Sequence, residues 1–187
     1  MACEERNLLT AFAAEVRDIG VAVSEVSIGS TPTIRAVDDL TGVTEVRPGN
    51  YLFFDAFQLA IGSCDIDDIA FSVQATVISV HPERGRAVVD SGALALSMDP
   101  GPILVDTECG FGLPVTVEDQ QPLPGLRIAS LTQEHGTLAG PGVEALKPGT
   151  SLRILPNHSC LSAACFDRYN IVRGTELIDE WHPVRGW

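Results

Sequence analysis

The 187 residues carry 25 acidic and 12 basic side chains, for a formal charge of −13, and 45% of them are apolar. The composition is that of a packed globular protein. The charge repels phosphate backbones and opposes nucleic acid as a partner, and no run approaches the roughly 18–20 apolar residues of a membrane span. The opening "MACEERNLLTAF" has acidic residues where a secretory signal has basic ones, and it lacks an apolar core. Cys3, Cys64, Cys109, Cys160 and Cys165 stand at irregular spacings in a chain too long to need staples. They read as reduced thiols of a cytoplasmic protein.

In chain order, "ERNLLTAFAAEVRD" places Leu8, Phe12, Ala13 and Val16 at helical spacing, predicting a helix over 5–18 that ends near Gly20. Short apolar runs at Val21–Ile28 and Val43–Val46 flank "GSTPT", and this alternation of helix and strand signals suits a parallel α/β segment. "RPGNY" is a turn, and "LFFDAFQLAIG" reads as a short helix ending at Gly62, though its length also allows a strand. From Ile69 the period becomes two. "IAFSVQATVISV", the turn "PERG" and "RAVVDSGALAL" predict a hairpin. Further strands are expected at Leu126–Leu131, Ser151–Leu155, Arg168–Val172 and Glu176–Trp181. The expected division is therefore an α/β segment over residues 1–63 and an all-β domain over 64–187. Two parallel strands cannot make a sheet covered on both faces, so the front segment looks like the end of a larger α/β domain.

"PNHSC" puts His158 and Cys160 two apart after an apolar run. If the strand continued through them, both side chains would lie on one face and could meet at a divalent cation, since zinc accepts imidazole nitrogen and thiolate sulfur. Two ligands do not make a site, and from residue types alone a buried structural pair is the simpler reading. In "GSTPT", Gly29, Ser30 and Thr31 could turn backbone N–H groups and hydroxyls toward an anion, with Pro32 placed to start a helix; an ordinary capped turn would look the same. Glu134 and His135 in "QEHGTL" and Asp90 in "VVDSG" are positions for orienting ligands or for turns. His81 and His182 precede prolines and read as exposed turn residues, and Trp181 and Trp187 as packing or interface groups.

Taken together, "GSTPT", "GVTEVRPGNYLFFD", "AFSVQATVISV", "AVVDSGALALSMD", "EHG", "PNHSC" and "WHPVRGW" resemble, in order, the C-terminal half of the D-threonine aldolase and D-serine dehydratase group. These are pyridoxal-phosphate enzymes of the alanine-racemase fold type, and the resemblance runs from about Leu8 to Trp187. It implies a fold of α+β class: the remnant of the end of a (β/α)8 barrel followed by an all-β C-terminal domain. By the same resemblance Gly29, Ser30 and Thr31 match the loop that binds the pyridoxal 5'-phosphate phosphate. His158 and Cys160 match the metal ligands. Cysteine suits zinc and resembles the dehydratase branch, whereas the aldolases carry aspartate there and prefer a harder divalent ion such as manganese. The implied substrate is a D-amino acid such as D-serine or D-threonine, and relatives of this fold type pair head to tail as homodimers.

The chain departs from that pattern in its lysines. The lysine that holds the cofactor belongs to an early barrel strand, and the only lysine here is Lys147, in the turn "ALKPGT". Leu94 also stands where the family often shows lysine. The resemblance therefore implies the C-terminal portion of a lyase, inactive as an isolated chain. Its alternatives are a non-catalytic, stand-alone β-domain binding a metal or protein partner, and a remnant without function.

Overall fold

Helix α1 (Ala2–Asp18) carries Glu4 and Glu5 in its first turn and Arg17 in its last, the arrangement that suits a helix dipole. It starts three residues before the predicted 5–18. Of the predicted apolar stripe only Ala13 is buried, and Leu8 and Phe12 are 65% and 63% exposed. The run Val21–Ile28 yields a strand of two residues, β1 (Ser27–Ile28), followed by α2 (Thr31–Ala36) and β2 (Glu45–Val46). β1 and β2 are parallel, Ser27 opposite Glu45 and Ile28 opposite Val46. The computed structural model describes all residues except Met1, Arg185 and Trp187. These elements make up its first compact unit, residues 1–52.

The second unit, residues 53–187, is organised by one antiparallel sheet. It begins with the short helix α3 (Ala56–Ala60), followed by Gly62 at φ 73, in agreement with the helical reading of "LFFDAFQLAIG". Strands β3 (Val73–His81) and β4 (Arg86–Val89) form the expected hairpin, with Gly85 left-handed at the turn. α4 (Ala93–Leu96) and β5 (Leu113–Val115) follow, then β6 (Arg127–Leu131), β7 (Gly136–Ala139), β8 (Ser151–Leu155) and α5 (Ser159–Ala163). A separate hairpin of β9 (Tyr169–Arg173) and β10 (Glu176–Trp181) completes the unit.

Six strands pair in the order β5-β8-β3-β4-β7-β6. The edges of this sheet nearly meet. Just before β5 the Phe111 N–H donates to the Ile128 carbonyl of β6 at 2.8 Å, and the Ile128 N–H donates to Gly112 at 3.4 Å. Near-closure gives one inward face, and the alternation of side chains along each strand fills it. Val77, Val89, Ile128, Leu138, Leu152 and Ile154 are all fully buried there. Phe53, Phe71, Phe166 and Tyr169 add a cluster of tilted and edge-on rings against this core.

Three expectations need correction. "GALAL" is not strand: the chain leaves the sheet at Val89 and turns into α4, whose Ala93 and Leu94 N–H groups donate to the Thr132 and Gln133 carbonyls. A Cβ on Gly92 would lie 2.4–2.5 Å from the backbone of residues 133–135, so only glycine lets the two segments touch. With α3, α4 and α5 inside it, the second unit is not all-β. It also opens at Phe53 rather than near residue 64, because Ala56 donates its N–H to Pro156, just beyond β8. The parallel pair and hairpin agree with the expectations.

The closed face makes a sharp prediction about stability. Ile154→Ala should lower the unfolding free energy in urea by about 2–5 kcal/mol through the cavity it leaves. Ile78→Ala, on the outer face of β3 at 45% exposure, should stay within roughly 0.5 kcal/mol of wild type.

Candidate functional site

β8 stops at Leu155 because Pro156 has no N–H to continue the ladder. His158 and Cys160 therefore do not continue a strand, as the sequence suggested. His158 is the N-cap of α5 and Cys160 its second helical residue, so both belong to one turn at the helix start. That turn is held from several sides. The Asp55 carboxylate, with 0% exposure, accepts the Ser159 N–H at 2.9 Å on one oxygen and the Gln58 N–H at 3.0 Å on the other. It thereby caps α3 and anchors the start of α5 at once. The buried Ser162 hydroxyl donates to the Ala95 carbonyl, tying α5 to α4.

Asn157, 1% exposed, links the turn to the loop 97–112. Its amide donates to the carbonyls of Asp99 at 3.1 Å and Gly110 at 2.8 Å, while its side-chain oxygen is buried without a partner. Gly101, at φ 55, is required here, since a Cβ would sit 2.6 Å from the Asn157 side chain. The Gly101 N–H donates to Asp99 Oδ1 at 2.7 Å, and Asp99 Oδ2 lies 2.9 Å from His158 Nδ1. Partial burial works against ionisation of Asp99. The hydrogen bonds from His158 and Gly101 outweigh it, holding the carboxyl below its ordinary value. At Cys160 burial of the sulfur pushes the thiol up and the Asp55 charge adds to this, although the residue as a whole reaches the surface.

Backbone strain marks the same place. Among the described residues three that are not glycine have positive φ, and two of them, Phe54 at 51° and Ser97 at 65°, stand one and two positions before Asp55 and Asp99. Such conformations cost about 1–3 kcal/mol and gather at functional sites. Imidazole and thiol are donors that zinc accepts, so the turn fits one side of a zinc coordination shell. Among the described residues no group of three or more His, Cys, Asp or Glu side chains is placed to hold an ion unaided.

The "GSTPT" loop lies in the first unit. Gly29, at φ 119, follows β1; Ser30 is the N-cap of α2, accepting the Thr33 N–H at 3.4 Å. The Thr31 hydroxyl is buried without a partner. Glu5 of α1 brings its carboxylate to this loop, accepting the Gly29 N–H at 3.2 Å and the Thr33 hydroxyl at 2.6 Å. The loop thus engages a carboxylate of the chain itself.

The remaining sequence candidates have structural employment. Asp90 Oδ1 accepts the Thr76 N–H at 2.7 Å beside the β3–β4 irregularity. Glu134 and His135 sit in the turn between β6 and β7, where the Thr132 N–H meets the His135 carbonyl. His81 faces Glu83 at 3.8 Å, and His182 faces Glu180 at 3.1 Å. Lys147 is in an exposed turn, its N–H on the Thr150 hydroxyl at 3.3 Å, and Leu94 is exposed on α4. Trp181 is 56% exposed on β10, its indole N–H on Asp179; Trp187 lies outside the described residues.

The family described as "Putative serine dehydratase domain" matches residues 70–172. The chain belongs to this serine dehydratase domain family. It is 38% identical over 194 residues to D-threo-3-hydroxyaspartate dehydratase of Delftia sp. strain HT23, covering 100% of this chain and 51% of that protein. D-serine dehydratase of Dictyostelium discoideum is 34% identical over 198 residues, with 100% of this chain and 49% of that protein covered. The chain spans about half the length of these curated relatives. A shorter member, an uncharacterized protein of Mycobacterium tuberculosis, is 38% identical over 131 residues, which are 68% of this chain and 91% of that one.

Among solved structures, a histidine-to-alanine variant of D-threo-3-hydroxyaspartate dehydratase superposes with a TM-score of 0.88 at 37% identity, covering 100% of this chain and 49% of that one. A cysteine-to-alanine variant, described as being in the metal-free form, gives 0.86 with 100% and 51% covered. The two substituted residues are two positions apart in that protein. An alanine-racemase-like protein of Idiomarina loihiensis gives 0.87 at 33% identity, with 100% and 50% covered.

The pinned turn predicts that Asp55→Ala, which strips two buried N–H groups of their acceptor, lowers thermal and urea stability by about 2–5 kcal/mol. Asp55→Asn, which retains an acceptor for one of them, should lose roughly half as much.

Proposed function

We propose that this chain is the metal- and phosphate-binding C-terminal portion of a pyridoxal-phosphate-dependent D-amino-acid lyase of the D-serine or 3-hydroxyaspartate dehydratase type. On this reading it is inactive until a lysine-bearing barrel portion is supplied. The observation that carries the reading is the pairing of His158 and Cys160 in one rigid turn. Their spacing is that of the histidine and cysteine altered in the D-threo-3-hydroxyaspartate dehydratase variants, one of them metal-free. Together with the D-amino-acid dehydratases among the relatives, this supports a divalent ion, zinc by the softness of the thiolate.

Each residue then has a role at a stated atom. Cys160 Sγ and a ring nitrogen of His158 would hold the cation, while Asp55 and Asn157 keep their turn from shifting. The Gly29 N–H and the Ser30 and Thr31 hydroxyls would hold the cofactor phosphate, the Gly29 N–H being bonded to the Glu5 carboxylate in this structure. When bound, the cofactor supplies an electron sink for the carbanion at Cα and the cation a Lewis acid for the departing β-hydroxyl. The covalent anchor must come from elsewhere, since Lys147 lies in an exposed turn. The remainder of the barrel, or a second copy of the chain, is the partner this reading requires.

A second reading, a stand-alone domain that binds a metal or a protein and catalyses nothing, is favoured by one observation. The alignment covers 91% of the short Mycobacterium tuberculosis member, so a family protein of about this domain's size exists without the remainder. The lyase reading and the metal-binding form of the second reading both require the metal. Zinc content of the purified chain should approach one per chain for wild type and fall to background for His158→Ala and Cys160→Ala; equal content in all three overturns the assignment. Co-expression with the N-terminal half of the Delftia dehydratase separates the readings. Release of 2-oxo acid from D-serine or D-threo-3-hydroxyaspartate, absent from the chain alone, supports the lyase; no release supports the stand-alone domain.

A further inference from the structure

The imidazole of His158 has two nitrogens, and its neutral form can offer only the unprotonated one to a metal. Nothing in the spacing of "HSC" says which. The structure places Asp99 Oδ2 2.9 Å from Nδ1. An ionised carboxylate only accepts hydrogen bonds, so Nδ1 must donate, carrying the single proton of the neutral ring and leaving Nε2 bare.

Asp99 is itself held in place. Its other carboxylate oxygen accepts the Gly101 N–H at 2.7 Å, its own N–H donates to the Ser97 hydroxyl at 3.3 Å, and its carbonyl accepts from the buried amide of Asn157 at 3.1 Å. Because Asn157 directly precedes His158, one end of this arrangement grips the backbone of the ligand turn and the other grips the ligand ring. The left-handed Ser97 and Gly101, at φ 65 and 55, bend the loop so that Asp99 points at the ring. Side-chain exposures of 39% for His158 and 28% for Asp99 leave the pair with one screened and one open side.

We propose that Asp99 is a positioning residue that fixes the His158 ring in the Nδ1–H form and in one orientation, so that Nε2 faces the cation. This rests on the reading of His158 and Cys160 as metal ligands. Asp99 touches neither cation nor substrate. It acts through the imidazole, raising the basicity of Nε2 and removing the ring rotation that metal binding would otherwise have to arrest.

The test uses the full chain labelled with 15N and freed of metal. Long-range proton–nitrogen correlation at neutral pH, with His158 identified by the disappearance of its signals in His158→Gln, should show a protonated Nδ1 and an unprotonated Nε2. A ring protonated at Nε2 overturns the proposal without recourse to any Asp99 variant. Zinc affinity, measured by competition with a chromophoric chelator, should fall about 10–100-fold in Asp99→Ala. Asp99→Glu should recover part of that loss, and the tautomers should mix in Asp99→Ala. Asp99→Asn, which retains the acceptor for Gly101, guards against a folding defect and should also bind zinc more weakly than wild type. If wild type binds zinc and Asp99→Ala binds it equally well, the positioning role is overturned and the ligands stand. If wild type binds none, the ligand reading falls and this inference with it.

Discussion

The Asp55 carboxylate is the constraint on which the candidate site depends. A charge removed from solvent is tolerated only where hydrogen bonds replace the lost hydration, and here both oxygens receive backbone N–H groups, one from α3 and one from the start of α5. The geometry works in both directions. The two N–H groups stabilise the carboxylate, and the carboxylate dictates where α5 begins. Since β8 is an interior strand of the nearly closed sheet and ends three residues before His158, the turn carrying His158 and Cys160 is clamped between a rigid core and a buried anion. Side chains held in this way have little conformational freedom left to lose on binding a ligand.

On the other side of His158 the same logic appears in a loop rather than in a sheet. Asn157 fills the space that Gly101 leaves open and bonds two carbonyls of the loop 97–112. The strained Phe54 and Ser97 introduce the two acidic residues, so conformational energy is spent where position matters and not in the sheet, where no such outlier occurs among the described residues. In the first unit an anion-binding loop and a helix carboxylate are likewise matched through Gly29, Thr33 and Glu5. The two sets of contacts lie in separate units of the chain.

Much of the sheet was legible because its period is local. β8 falls on its predicted residues, as does β10 in the separate hairpin, and β3 follows from the alternation of Val73, Ala75 and Val77. β5 and β7 were not legible: one has three residues with a proline among them, the other opens on glycine. "GALAL" alternates like a strand, yet the carbonyls of Thr132 and Gln133 draw its N–H groups into α4. The apolar spacing of α1 identified the helix correctly but not its buried face, because Leu8 and Phe12 stay largely exposed among the described residues.

The site divides in the same way. His158 and Cys160 were readable as residue types, whereas their setting was not, because Asp55 acts on Ser159 across 104 positions and Asp99 on His158 across 59. "SMDPG" and "FFDAF" carry no mark separating a positioning carboxylate from a turn or a cap. Glu5 is concealed similarly, as an ordinary acidic residue in the first turn of a helix. X-ray absorption at the zinc edge of the zinc-loaded chain tests the central claim most directly. A first shell containing one sulfur at about 2.3 Å and one imidazole nitrogen at about 2.0–2.1 Å is the predicted result. A shell of oxygen and nitrogen without sulfur would contradict it.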